Sequence, residues 1–170
     1  MGKNKMKGII RYAGYASILL ALAAIAFMFA PAIVYSAGDN AYNYNAFQTM
    51  FGYTEQIKIA FAYTDVQLFD FSFMNFAALI VLVGGIVLSV LKILFGKKAK
   101  LFTLIATACF IVAGVFLFMN ITFAVPHVHE GAKQIFNLDK SNMTLGWGAI
   151  VGAICALIAG ACKLGELLLD

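Results

Sequence analysis

The chain has 170 residues, 63% of them hydrophobic and 12% charged, with a formal net charge of +4. A soluble domain of this size usually carries about 25% charged residues, so the composition points to one membrane-embedded domain, residues 1–170, rather than a water-soluble one. The positive balance does not imply nucleic acid, because the basic residues sit beside apolar runs and no Lys/Arg stripe interleaves with aromatics on a polar face.

The N-terminal tail carries Lys3, Lys5, Lys7 and Arg11 and leads into the first apolar run, 12–34. A basic start before an apolar stretch resembles a signal peptide, but this stretch outlasts the usual core of about 7–15 residues, so it is expected to remain as a membrane span. Further runs follow at 73–95, 101–125 and 145–162. Each has the roughly 18–25 residues that a helix needs to cross about 30 Å of hydrocarbon. The fold class expected from these runs is an all-α membrane protein, a four-helix transmembrane bundle, with a small extracellular β-hairpin or sheet from the first outside loop.

Charge orients the spans. Lys3, Lys5, Lys7, Arg11, Lys92, Lys97, Lys98, Lys100 and Lys163 flank one side, which leaves only Lys58, Lys133 and Lys140 on the other. Basic residues in short loops stay cytoplasmic. Both termini and the turn near residue 97 are therefore expected inside the cell membrane, with 35–72 and 126–144 as the first and second extracellular loops. Tyr35, Phe73, Phe123 and Trp147 fall where an outer aromatic belt belongs.

The spans show little chemistry. With the fourth span ending at Cys162, no Asp, Glu, His or Arg lies inside any of them, and Lys92 is close enough to its end to snorkel. Embedded ionisable groups mark proton relays and coupled ion sites, so their absence counts against a proton-coupled transporter. Cys109, Cys155 and Cys162 lie in spans with no CxxC spacing and read as small packing residues. Gly148, Gly152, Ala156 and Gly160 form a helix-packing stripe, which serves either close packing within the chain or a homo-oligomer seam. Asn75 and Asn120, near the outer ends of their spans, suit an interhelical hydrogen bond or the start of a site at the outer mouth.

The first loop is long and aromatic, and a loop of this length is seldom a bare connector. Residues 56–63 alternate, with Ile57, Ile59, Phe61 and Tyr63 on one face; Thr64-Asp65 suits a turn and 66–69 a return strand. An isolated hairpin is marginal in water, so it is expected to be supported by a third strand from 42–51, by the second outside loop or by the membrane interface beneath it. Tyr42, Tyr44, Phe61 and Tyr63 are the partner-binding candidates. In the second loop, His127, His129 and Glu130 are the metal candidates, short of the about three or four well-placed ligands that zinc or copper needs. No catalytic set and no cofactor motif stands out, and no metal or cofactor is expected.

The order of basic tail, span, long stranded loop, span, basic turn, span, shorter loop and span resembles claudins in topology only. The single Trp is Trp147 and the first loop has no Cys, so the claudin loop motif is missing. Phe71-Ser72-Phe73-Met74-Asn75, Ala108-Cys109-Phe110-Ile111-Val112-Ala113-Gly114 and Leu145-Gly146-Trp147-Gly148-Ala149-Ile150 are similar to motifs of small uncharacterised four-span membrane proteins of Gram-positive bacteria. That resemblance implies a cell-envelope protein and brings no activity with it. The expected function is a non-enzymatic multi-pass protein whose extracellular loop binds an envelope partner or a neighbouring copy. A small oligomeric channel or holin-like pore is the alternative.

Overall fold

The computed structural model describes residues 3–59, 62–96, 100–130, 134 and 136–169. Its elements run α1 (Lys3–Phe27), β1 (Pro31–Ala37), β2 (Asn40–Asn45), α2 (Ala46–Phe51), β3 (Tyr53–Ile59), β4 (Ala62–Phe69), α3 (Phe73–Phe95), α4 (Lys100–Phe118), α5 (Asn120–Phe123), β5 (Met143–Leu145) and α6 (Trp147–Leu169).

The long helices α1, α3, α4 and α6 lie side by side, with α6 between α1 and α4, and α3 against α4. Their inner faces mix small and polar residues with a few large apolar ones, Leu82, Phe110 and Leu117. On α3 the buried residues Asn75, Ala78, Leu82, Gly85, Ser89 and Lys92 recur every three or four positions, which puts them on one stripe. Ile80, Val83, Val87, Val90 and Leu94 point outward and are exposed. Exposed large apolar groups, with many small and polar groups turned inward, suit lipid as the surrounding solvent. Three helices are long and apolar enough to cross a membrane by length and composition, namely α3, α4 and α6.

The all-α four-helix expectation is overturned. The described residues hold six helices and five strands in two antiparallel sheets, a mixed α/β fold, and three helices rather than four are both long and apolar enough to cross a membrane. The run 12–34 is the one that divides. Its apolar helical part, Tyr12–Phe27, rises only about 24 Å at 1.5 Å per residue. Pro31 has no N–H to donate and disfavours helical backbone at Ala30. The helix therefore unwinds through short bonds from the Met28, Phe29 and Ala30 amides to the Ile25, Ala26 and Phe27 carbonyls. Ile33 and Val34, β-branched, then enter β1.

The other runs are also redrawn. Run 101–125 breaks at Met119 between α4 and α5. Run 145–162 yields Leu145 to β5, and α6 continues past Cys162 to Leu169.

β1 is the central strand of the first sheet, order β2-β1-β5. Tyr35 pairs with Tyr42 on one side and with Met143 on the other. β3 and β4 form a separate hairpin in which Ile59 pairs with Ala62 and Glu55 with Val66. Thr64 and Asp65 thus lie inside β4 rather than in a turn, and Tyr42 belongs to the other sheet. The hairpin connection falls at residues 60–61, outside the described residues.

The two sheets meet over Ile33, Tyr44, Val66, Leu68, Phe69 and Met143. The Tyr44 ring stands edge-on to Phe69 at 5.0 Å and to Tyr53 at 6.0 Å. Hydrogen bonds fasten this head to the helices. Ser72 Oγ donates to the Phe123 carbonyl at 2.6 Å, the Ala46 amide to Met28 at 3.0 Å, and the Gly146 amide to Ala32 at 2.8 Å.

Candidate functional site

Alternate residues of a strand share a face. Tyr35 and Ala37 of β1 and Tyr42 and Tyr44 of β2 therefore look the same way, toward the hairpin. From the hairpin, Glu55 and Ile57 of β3 and Leu68 of β4 look back, and Phe136 and Leu138 close one side. The sheets touch where Tyr44, Tyr53 and Phe69 pack, and part beyond them to leave an open cleft of about 430 Å³.

Tyr44 forms the floor at 4% exposure. Burial first, and then the Glu55 carboxylate, push its hydroxyl well above the ordinary tyrosine value. Tyr42 is 45% exposed on the wall and Tyr63 is 70% exposed. Tyr63 sits on β4 opposite Lys58, whose ammonium lies 6.0 Å from its ring centroid. Of the four partner-binding candidates, Tyr42 and Tyr44 line the cleft, Tyr63 does not, and Phe61 lies outside the described residues.

The histidines are brought together beside the hairpin. Their ring centroids are 4.8 Å apart. His127 Nδ1 lies 2.8 Å from Asp70 Oδ1, which also accepts from Gln67 Nε2 at 2.7 Å. His129 Nδ1 lies 3.2 Å from Asn137 Oδ1, and its amide donates to the same oxygen at 2.6 Å. Each ring is engaged by its own neighbour, and Glu130 is exposed. Among the described residues no group of three or more His, Cys, Asp or Glu is placed to hold a metal.

The small-residue stripe is spent inside the chain. Gly148 abuts Ala30, Gly152 faces Ala24 and Phe27, and Gly160 abuts Ile111, while Ala156 is fully buried. Asn75 and Asn120 do meet, the Asn75 Nδ2 donating to the Asn120 carbonyl at 3.3 Å. Thr49, which the sequence did not single out, lies 3.3 Å from Asn120 Oδ1 and links α2 to this knot.

One buried charged set was missed. Lys163 and Glu166 lie inside α6, on its inner face, at 0% and 5% exposure, and Lys92 is buried on α3. Ending the fourth run at Cys162 placed both α6 charges outside a span. The spacing Gly152, Ala156, Ala159, Lys163, Glu166 carries the same inward stripe forward and is the signal that finds them.

These features define a class: helices packed on a shared core, three of them long and apolar enough to cross a membrane, bearing a two-sheet head with an aromatic cleft. No family model matches the sequence, and no curated protein matches it.

Proposed function

We propose that this is a non-enzymatic multi-pass protein of the cell membrane whose head binds an envelope partner or a second copy on the extracytoplasmic side. The observation that carries the reading is the cleft of about 430 Å³ between the two sheets, walled by Tyr35, Tyr42, Tyr44 and Glu55. Concave, mostly apolar sites with a few placed polar groups are the usual form of a binding site.

Orientation follows from charge. Gly14 of α1 packs on Glu166 near the end of α6, so the start of α1 and the end of α6 lie at the same end of the helices, where Lys92 and Lys100 also lie. Lysine-rich ends stay cytoplasmic, which turns the head outward.

A photo-crosslinking residue placed at position 42 in cells tests this. The expected result is one discrete adduct from position 42 and none from position 63, which lies outside the cleft. No adduct from position 42, or the same adducts from both positions, sinks the proposal.

A further inference from the structure

We infer that the cleft recognises a cationic amine, a primary or quaternary ammonium group on an alkyl arm. The inference rests on the cleft being the binding site and names the chemistry that it takes.

Three tyrosines converge there. Tyr35 and Tyr42 are direct cross-strand partners, and Tyr44 lies deeper on the same face. Tyrosine ring faces carry negative potential and attract ammonium groups held within about 6 Å. Glu55 projects into the same space from β3, opposite Val66. Its carboxylate is half-buried, and among the described residues no cation pairs with it.

Lys58 borders the cleft as well, but its ammonium is drawn toward Tyr63. Strand alternation puts Lys58 on the opposite face of β3 from Glu55 and Ile57, and its ammonium lies over the Tyr63 ring at 6.0 Å. That contact is the same recognition in miniature, an ammonium on a tyrosine face of this hairpin.

The remaining lining selects among ligands. An anion would meet the Glu55 carboxylate and the tyrosine faces, both repulsive, and could gain only Lys58, whose ammonium already lies 6.0 Å from the Tyr63 ring. A neutral apolar ligand would strip water from Glu55 and leave it unpaired, which is costly. An ammonium on an alkyl arm satisfies Glu55 with a charge-assisted contact and lays its methylenes on Ile57, Leu68 and Leu138. The amine is either a free small molecule or a lysine side chain of the partner.

Calorimetric titration of the full chain in detergent tests the inference, with tetramethylammonium chloride, N-acetyl-lysine amide and a lysine-containing peptide as probes. Sodium chloride and sodium acetate at matched ionic strength are the controls. Saturable binding of the ammonium probes is expected, weakened about tenfold in Glu55→Gln and in Tyr42→Ala but kept in Tyr42→Phe, which preserves the ring face. Tighter binding of the peptide than of the free amines assigns the site to a partner's lysine, and the reverse order to a small amine. No saturable binding, equal binding by Glu55→Gln, or competition by acetate overturns the inference. A position-42 adduct that survives excess tetramethylammonium overturns it while leaving partner binding intact. Ammonium binding without any adduct does the opposite.

Discussion

Lys163 Nζ lies 2.7 Å from Glu166 Oε2 on the inner face of α6, and both side chains are buried. The pair fits because α1 presents a glycine to it. A Cβ on Gly14 would stand 3.2 Å from Glu166 Oε2.

Taking one member away leaves the other charge buried and uncompensated. Lys163→Met is therefore expected to cost about 3–5 kcal/mol. The double change Lys163→Met with Glu166→Leu should recover most of that loss, since a well-packed apolar pair often matches a buried ion pair. Thermal midpoints in one detergent check both, and equal loss in single and double variants would contradict the expectation.

The glycines of α6 are not equivalent. A Cβ on Gly148 would come within 2.8 Å of the Ala30 backbone, whereas one on Gly152 would meet its nearest neighbour, the Ala24 carbonyl, at 3.4 Å. Gly148→Ala should cost about 1–3 kcal/mol through overpacking. Gly152→Ala should be neutral or gain up to about 1 kcal/mol from helix propensity. The same thermal series ranks them.

Tyr44 makes stability depend on alkaline pH. Burial and Glu55 raise its folded value above the ordinary 10.0, so the unfolded chain ionises first. Its contribution is complete below 10.0 and is lost as pH rises past that value toward the folded one. Tyr44→Phe should flatten this fall. Thermal midpoints measured against pH on both sides of 10.0 would show identical slopes if the idea is wrong.

The asparagine knot is lopsided. Asn75 Oδ1 is buried without a partner among the described residues, while Asn120 Oδ1 receives Thr49. Asn120→Leu should cost about 1 kcal/mol by removing the contact with Thr49, whose hydroxyl keeps the Ala46 carbonyl at 3.0 Å, and Asn75→Leu should cost less because it also removes an unsatisfied acceptor. Hydrogen exchange at α2 reports the difference directly.

Part of this molecule is legible residue by residue. The bounds of α3 can be read from the apolar run and from Ser72, whose side chain accepts from the Asn75 amide at the helix start. The alternation in 56–63 points to strand structure, but the stretch is divided between β3 and β4, and Tyr63 pairs with Lys58, on the other face from Ile57. The turn was misplaced because Thr64-Asp65 has good turn chemistry, yet the strand continues through it, with Thr64 paired to Ile57 and Asp65 to Gln56. The first run misled for a different reason. Ile33 and Val34 suit a lipid-facing helix and a strand equally, and Pro31 settles the choice only once a pairing partner exists.

Composition and run length are enough to say that α3, α4 and α6 can enter a membrane, because hydropathy is additive along a segment and needs no knowledge of its neighbours. Strand pairing is not additive in that way. Ile33 meets Leu145, and Tyr35 meets both Tyr42 and Met143, across loops of very different length. Those pairings draw the end of the first run, from Pro31 to Val34, into a sheet, and they alone bring Tyr35 and Tyr42 to the cleft that Glu55 enters. Spacing puts Lys163 and Glu166 on the inward stripe of α6, but their burial is decided only when α1 and α4 cover that face, since the same two residues on an uncovered helix end would be solvated surface charges.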